Sequence, residues 1–177
     1  MKKILLFLFC IALTLSVGAI SGIATKDGIN QWFYELKKPI FNPPNTVFGP
    51  VWTLLYFLMG VSFYFILRQN PSPLRTKAIV IFGIQLVLNF TWSFLFFKYQ
   101  LLGIAFIEII AIWLSIIFMI ASFYPVHKKA AFLQIPYLLW VSFATLLNGS
   151  LWFLNRWDGN LGRPYISAGV LKTSLHW

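Results

Sequence analysis

Charge, cysteine and histidine are all scarce in this chain. Of its 177 residues only four are acidic and two are histidine, and a single cysteine, Cys10, is present. One cysteine excludes an intramolecular disulfide. Cys10 falls in an apolar run, where a thiol packs as a small hydrophobe. There is no CxxC, no HExxH, no Gly-rich phosphate loop and no pair of carboxylates. The patterns that hold metals, cradle phosphates or build general acid–base pairs are therefore missing. His127 lies in a loop and His176 in the tail, so neither can ligate a metal among the helix faces. Charged residues make up 10% of the chain, against about 25% in soluble domains. That shortfall, with 59% hydrophobic residues, excludes a soluble globular domain and points to an integral membrane protein.

Long apolar runs are what the chain has instead. Five occur, over residues 4–24, 47–67, 78–97, 101–123 and 130–154. Each has about 20 residues or more, enough to cross roughly 30 Å of hydrocarbon as a helix. In lipid every backbone group must be satisfied internally, so a helix is the default spanning form. The alternating ten-residue segments of a membrane barrel are absent. The expected fold is all-α, a single domain over residues 1–155 built as a five-transmembrane-helix bundle, followed by a polar tail over 156–177. Short connections make sequential helices antiparallel. The first run has a basic start and small residues near its end, which also describes a cleaved signal peptide; its length favours a retained helix.

The stretch WFYELKKPIFNPPNTVFGPVWTLLYFLMG, beginning at Trp32, organises the rest. Pro39, Pro43 and Pro44 fix φ and lack N–H donors, so its first half is a loop. Trp32, Phe33 and Tyr34 suit the headgroup level, on a short interfacial helix that either anchors the loop or lids the bundle. The second half starts a span with Trp52, Tyr56 and Gly60 on one face. Gln85, Asn89 and Trp92 share a face of the third span, and Trp140, Ala144 and Asn148 a face of the fifth. Groups of this kind avoid lipid and should point inward. Each serves equally as interhelical glue or as a cavity wall, and the convergence of three faces favours a cavity for a small molecule. Glu108 is the only acid well inside a span, with no base on any span to pair with it.

Basic residues divide seven and seven between the two sides, so the positive-inside rule does not decide the orientation; leaving out the tail leans the amino terminus toward the cytoplasm. The net charge of +10 sits almost wholly in loops and tail. It suits anionic lipid headgroups, and no nucleic-acid motif accompanies it.

These residues resemble the translocator protein family, also called tryptophan-rich sensory proteins (TspO/MBR) or peripheral benzodiazepine receptors. The Trp32 stretch meets the family signature almost throughout, with Phe33 in place of the usual Tyr. QLVLNFTWSFLFF and PYLLWVSFATLLN resemble its third-helix and fifth-helix segments. The resemblance covers roughly residues 4–155. It implies a five-helix, multi-pass protein of a bacterial cell membrane, often a homodimer, with porphyrins such as protoporphyrin IX, sterols and benzodiazepine-type compounds as ligands. No cofactor or metal is implied; porphyrin is ligand or substrate. By position the resemblance assigns the pocket to Trp52, Tyr56, Asn89, Trp92, Trp140 and Ala144, with Pro43, Pro44 and Asn45 shaping its roof. Asn148, one turn beyond Ala144, joins that wall by its helical spacing. Some bacterial relatives degrade protoporphyrin through paired tryptophans, and Trp52 and Trp140 match those positions as candidate catalytic residues. Animal relatives carry a cholesterol motif late in the fifth helix, but Gly149 stands where its Tyr belongs, so sterol binding there is not expected. Three function classes follow: a tetrapyrrole-binding receptor or sensor, a light- and oxygen-dependent porphyrin-degrading enzyme, and a transporter of hydrophobic small molecules.

Overall fold

The structure, a computed structural model, describes residues 1–28 and 32–156. The expectation of a solvated tail falls, beyond Arg156, outside the described residues. Among the described residues seven α-helices follow in order: α1 (Lys2–Asp27), α2 (Phe33–Glu35), α3 (Asn45–Leu67), α4 (Pro73–Ser93), α5 (Leu102–Phe123), α6 (Lys128–Phe132) and α7 (Ile135–Asn155). A five-residue π-helical turn, Phe94–Lys98, extends α4. No strand occurs among the described residues. Among the described residues five helical segments are long and apolar enough to cross a membrane: α1, α3, α4 with its π turn, α5, and α6 with α7.

Local chemistry sets the boundaries, and two differ from the sequence expectation. The third span starts at Pro73 rather than near residue 78. Proline is suited to a first helical position, where its missing N–H costs nothing, and the Ser72 hydroxyl caps the turn by accepting from Arg75 N–H at 3.2 Å. The fifth span is not one helix. Pro136 has no N–H to offer the carbonyl four residues back and its ring crowds that carbonyl. The helix breaks at Leu133 and Gln134, leaving α6 as a short lead-in capped by His127 Nδ1, which accepts from Ala130 N–H at 3.2 Å. The turn after the π segment places Gln100 at φ 58°, the only non-glycine residue with positive φ among those described.

The helices pack as α1 on α3, α4 on α5 and α5 on α7. Glycine permits the closest approach between α1 and α3. A Cβ on Gly60 would lie 2.9 Å from the Cys10 carbonyl oxygen, and one on Gly18 would enter the Tyr56 ring. The bundle has two unequal halves. Toward the chain's amino terminus it is solid: Phe63 stacks on Phe82 with centroids 4.1 Å apart, amid fully buried Met59, Ile66, Ile116, Met119 and Phe123. Toward the long loop a smaller cluster joins Phe33 and Leu36 of the loop to Phe96, Leu102, Ala105, Leu147 and Leu151. Lys37 N–H donates to Asn155 Oδ1 at 3.0 Å, and Asn155 Nδ2 donates to the Lys37 carbonyl at 3.0 Å. This reciprocal pair fastens the loop to the end of α7. Phe33 turns inward and is buried while Tyr34 stays exposed, so these neighbouring rings divide between core and surface.

Candidate functional site

Beneath the fastened loop lies a cavity of about 560 Å³, within the usual range for small-molecule sites. Four helices wall it. Gly18, Ser21, Gly22 and Thr25 of α1 present a face with spacing i, i+3, i+4, i+7, one side of a helix. Asn45, Phe48, Trp52 and Tyr56 come from α3, Asn89 and Trp92 from α4, and Trp140, Ala144, Leu147, Asn148 and Leu151 from α7. Phe33 closes it from the loop. No α5 residue lines it; α5 stands behind α4 and α7. The π turn matters locally. Tyr99 N–H reaches back five residues to the Phe94 carbonyl at 2.8 Å, and this wider winding brings both Phe96 and Phe97 onto the wall. Such turns recur at functional sites.

Polar groups in the wall are mostly satisfied by protein. Tyr56 OH donates to Asn89 Oδ1, Asn89 Nδ2 donates to Tyr137 OH at 2.7 Å, and Gln85 Nε2 donates to the same hydroxyl at 2.5 Å. This chain braces the floor across α3, α4 and α7. Trp92 Nε1 donates to the Ala105 carbonyl at 3.1 Å. With the Asn148 amide oriented so that its nitrogen donates to Leu102 O (3.2 Å), its oxygen also accepts from Trp92 Nε1 (3.2 Å). Ser21, Thr25 and Thr53 turn their hydroxyls onto carbonyls of their own helices. Trp140 Nε1 is buried with no hydrogen-bond partner among the described residues. Rings interlock around the cavity: Trp52 lies 5.7 Å from Tyr56 and 6.2 Å from Tyr137, and Trp140 lies 5.9 Å from Phe48. No lining residue is charged or a histidine, and no group of three metal-ligating side chains occurs among the described residues.

Of the residues singled out by sequence, Asn45, Trp52, Tyr56, Asn89, Trp92, Trp140, Ala144 and Asn148 line this one cavity. Pro43 and Pro44 do not. They end the loop, and Pro44, with extended ψ of 139°, sets the start of α3. Gly60 and Gln85 lie below the floor, the first against α1 and the second on Tyr137. Glu108 sits apart, on the α4–α5 seam, where one oxygen accepts from Thr91 Oγ1 at 2.5 Å and the other has no partner among the described residues. Sequence reasoning missed the α1 face and the role of Tyr137. A signal for the first was present, since small residues recur there at helical spacing.

The architecture and the positions of the aromatic residues can now be set beside known proteins. A profile of the TspO/MBR family matches residues 10–153, from the first turns of α1 to the last of α7. The chain belongs to the TspO/MBR family. It is 39% identical over 153 residues to the tryptophan-rich protein TspO of Archaeoglobus fulgidus, covering 86% of this chain and 99% of that one. It is 37% identical over 155 residues to the tryptophan-rich protein TspO of Chlorobaculum tepidum, covering 87% and 98%. It is 34% identical over 138 residues to the human translocator protein, covering 76% and 81%. Like the family, it is a multi-pass integral membrane protein. Gly149 also has a packing reason here. A Cβ at that position would lie 2.8 Å from the Phe106 ring, so any side chain there has to displace that ring.

Proposed function

We propose that this TspO/MBR family member is a membrane receptor for flat, largely apolar ring compounds, with protoporphyrin IX and benzodiazepine-type molecules as its ligand classes. The observation that carries this reading is the uncharged cavity of about 560 Å³, whose walls are mainly indole, phenol and phenyl rings. Such a wall favours planar aromatic ligands by area burial and ring-on-ring contact. The floor is braced by its own hydrogen bonds, so binding need not first order it. The test is quenching of tryptophan fluorescence by protoporphyrin IX on protein reconstituted in lipid nanodiscs. The reading expects saturable one-site quenching. Quenching that rises linearly without saturation, as from partition into lipid alone, would overturn it.

A second reading has one specific observation in its favour: Trp52 and Trp140 both line the cavity. With no acid–base side chain in the wall, porphyrin degradation would draw its reactivity from the light-excited ring and dioxygen, while the protein supplies position and oxidisable indoles.

A further inference from the structure

A second hollow lies on the outside of the bundle. It is a groove of about 610 Å³ between α5 and α7, bordered by Pro39 of the loop. No described residue lines both it and the central cavity, so α7 gives a different side to each. Gly149 contributes no side chain to the groove. The Phe106 ring, which a Cβ there would meet at 2.8 Å, packs onto its backbone and stacks on Trp152 with centroids 5.8 Å apart. Leu146 and Phe153 of the lining are exposed on a membrane-spanning segment, so the groove opens toward lipid. Its lining is uncharged, and the Thr145 hydroxyl is turned onto the Val141 carbonyl at 2.8 Å. The α7 part of the lining runs from Thr145 to Leu154, which at about 1.5 Å per residue is roughly 14 Å along the helix axis. One leaflet of hydrocarbon is about 15 Å deep, half of a core roughly 30 Å thick. The groove therefore has the depth of one leaflet, and its shallow end is the end of α7. There Arg156 is exposed, and its guanidinium lies 4.2 Å from the centroid of the Phe153 ring, itself part of the lining. A guanidinium at that level suits a phosphate, to which it can offer two parallel N–H donors.

We propose that this outer groove is a binding site for a single anionic phospholipid. One acyl chain lies along α7 over Gly149, against the Phe106 and Trp152 rings, and the phosphodiester sits at the Arg156 guanidinium. An apolar strip one leaflet deep with a cation at its shallow end matches a molecule built as a chain capped by a phosphate. Lipid tails are as apolar as the groove, so burial alone does not choose among lipids. The choice falls to charge. Near the shallow end Lys37, Lys38 and Arg156 outnumber the one acid, Glu35, and such a potential favours a net negative headgroup over a zwitterionic one.

The test is photolabelling in vesicles of phosphatidylcholine that contain a little phosphatidylglycerol with a diazirine midway along one acyl chain. Labelled peptides are mapped by mass spectrometry, and unlabelled phosphatidylglycerol, phosphatidylcholine and cholesterol are added as competitors. Label should concentrate on the α5 and α7 peptides that hold Phe106 and Gly149. Phosphatidylglycerol should suppress it about threefold better than phosphatidylcholine, because an exposed charge pair contributes modestly, and this advantage should shrink in high salt. Arg156→Gln should erase the advantage while leaving the labelled position unchanged. Ser150→Phe, which puts a ring into the groove lining, should cut labelling several-fold. Circular dichroism identifies variants that keep the fold, and should either fail, the wild-type competition series decides alone. The proposal is overturned if label spreads evenly over the lipid-facing sides of α1 and α4, or if the two phospholipids compete equally in wild type. It is overturned equally if cholesterol displaces the probe and phosphatidylglycerol does not, or if groove labelling appears only on dilution to monomer, which would make a second copy of the chain the occupant.

Discussion

Trp140 and Tyr137 occupy neighbouring turns of α7 and do different work. Trp140 is wall: its ring packs on Phe48 at 5.9 Å and on Phe143 at 5.6 Å, and its loss opens the cavity without cutting a hydrogen bond. Trp140→Ala should weaken protoporphyrin binding about tenfold or more, since burying an aromatic side chain contributes a few kcal/mol; fluorescence titration reads this directly. Tyr137 is floor: its hydroxyl accepts from Gln85 and Asn89, and the residue is 1% exposed. Tyr137→Phe keeps the ring but strands two buried amide donors, each costing about 1–3 kcal/mol. It should lower the midpoint of thermal unfolding in detergent, whereas Trp140→Ala should change affinity more than stability. The aromatic faces were legible because tryptophan among aliphatic residues stands out at helical spacing. Tyr137 was not, because a tyrosine near a helix start reads as an interfacial anchor until its partners on α4 are seen.

The pairing of α1 with α3 depends on where glycine lies at the contact. At Gly60 a methyl group would press on Ile11, Thr14 and the Cys10 carbonyl, all at 2.8–2.9 Å. At Gly22, on the cavity wall, a Cβ would meet nothing within 4 Å. Gly60→Val should force the helices apart and destabilise the protein by about 1–3 kcal/mol, as overpacking does. Gly22→Ala should leave stability unchanged or raise it by up to about 1 kcal/mol through helix propensity. Unfolding of both variants in the same detergent checks the contrast; equal losses would mean that the close contact at Gly60 does not set the pairing of α1 with α3. Two features of the elements were not legible in the sequence. The break at Leu133 and Gln134 follows from Pro136, whose effect can be a kink or a cap depending on its neighbours. The π turn has no residue signature, because its extra residue is accommodated by packing against α1.

Across the whole bundle, one half is solid and the other hollow, so the packed core and the cavity are separated along the helix axes. The solid half holds the stacked Phe63, Phe82 and Phe123 rings, and the hollow half brings Trp52 and Trp140 to one cavity. If the protein degrades porphyrin, replacing either indole by a less readily oxidised ring should affect chemistry more than binding. Trp52→Phe and Trp140→Phe should each slow the light- and oxygen-dependent decay of porphyrin absorbance, at saturating protein, by more than they weaken affinity. Variants that bind and degrade like wild type would make the indoles walls only. The absence of any protein-dependent decay in wild type would leave binding as the function.

Amino-acid type and spacing by themselves determined the class, the five spans, the membership of the aromatic faces and the lack of charge within them. These follow from hydropathy and helical periodicity, which are local properties of the chain. Only the tertiary structure decided which faces enclose space and which fill it. Trp52 and Gly60 share a helix face, yet one lines the cavity and the other seats α1, because the gap between helices varies along their length while the periodicity does not. Likewise Gly28 and Phe97 are separated by most of two spans and two loops in sequence, yet a Cβ on Gly28 would lie 2.0 Å from the Phe97 carbonyl oxygen, because the end of α1 packs against the π turn.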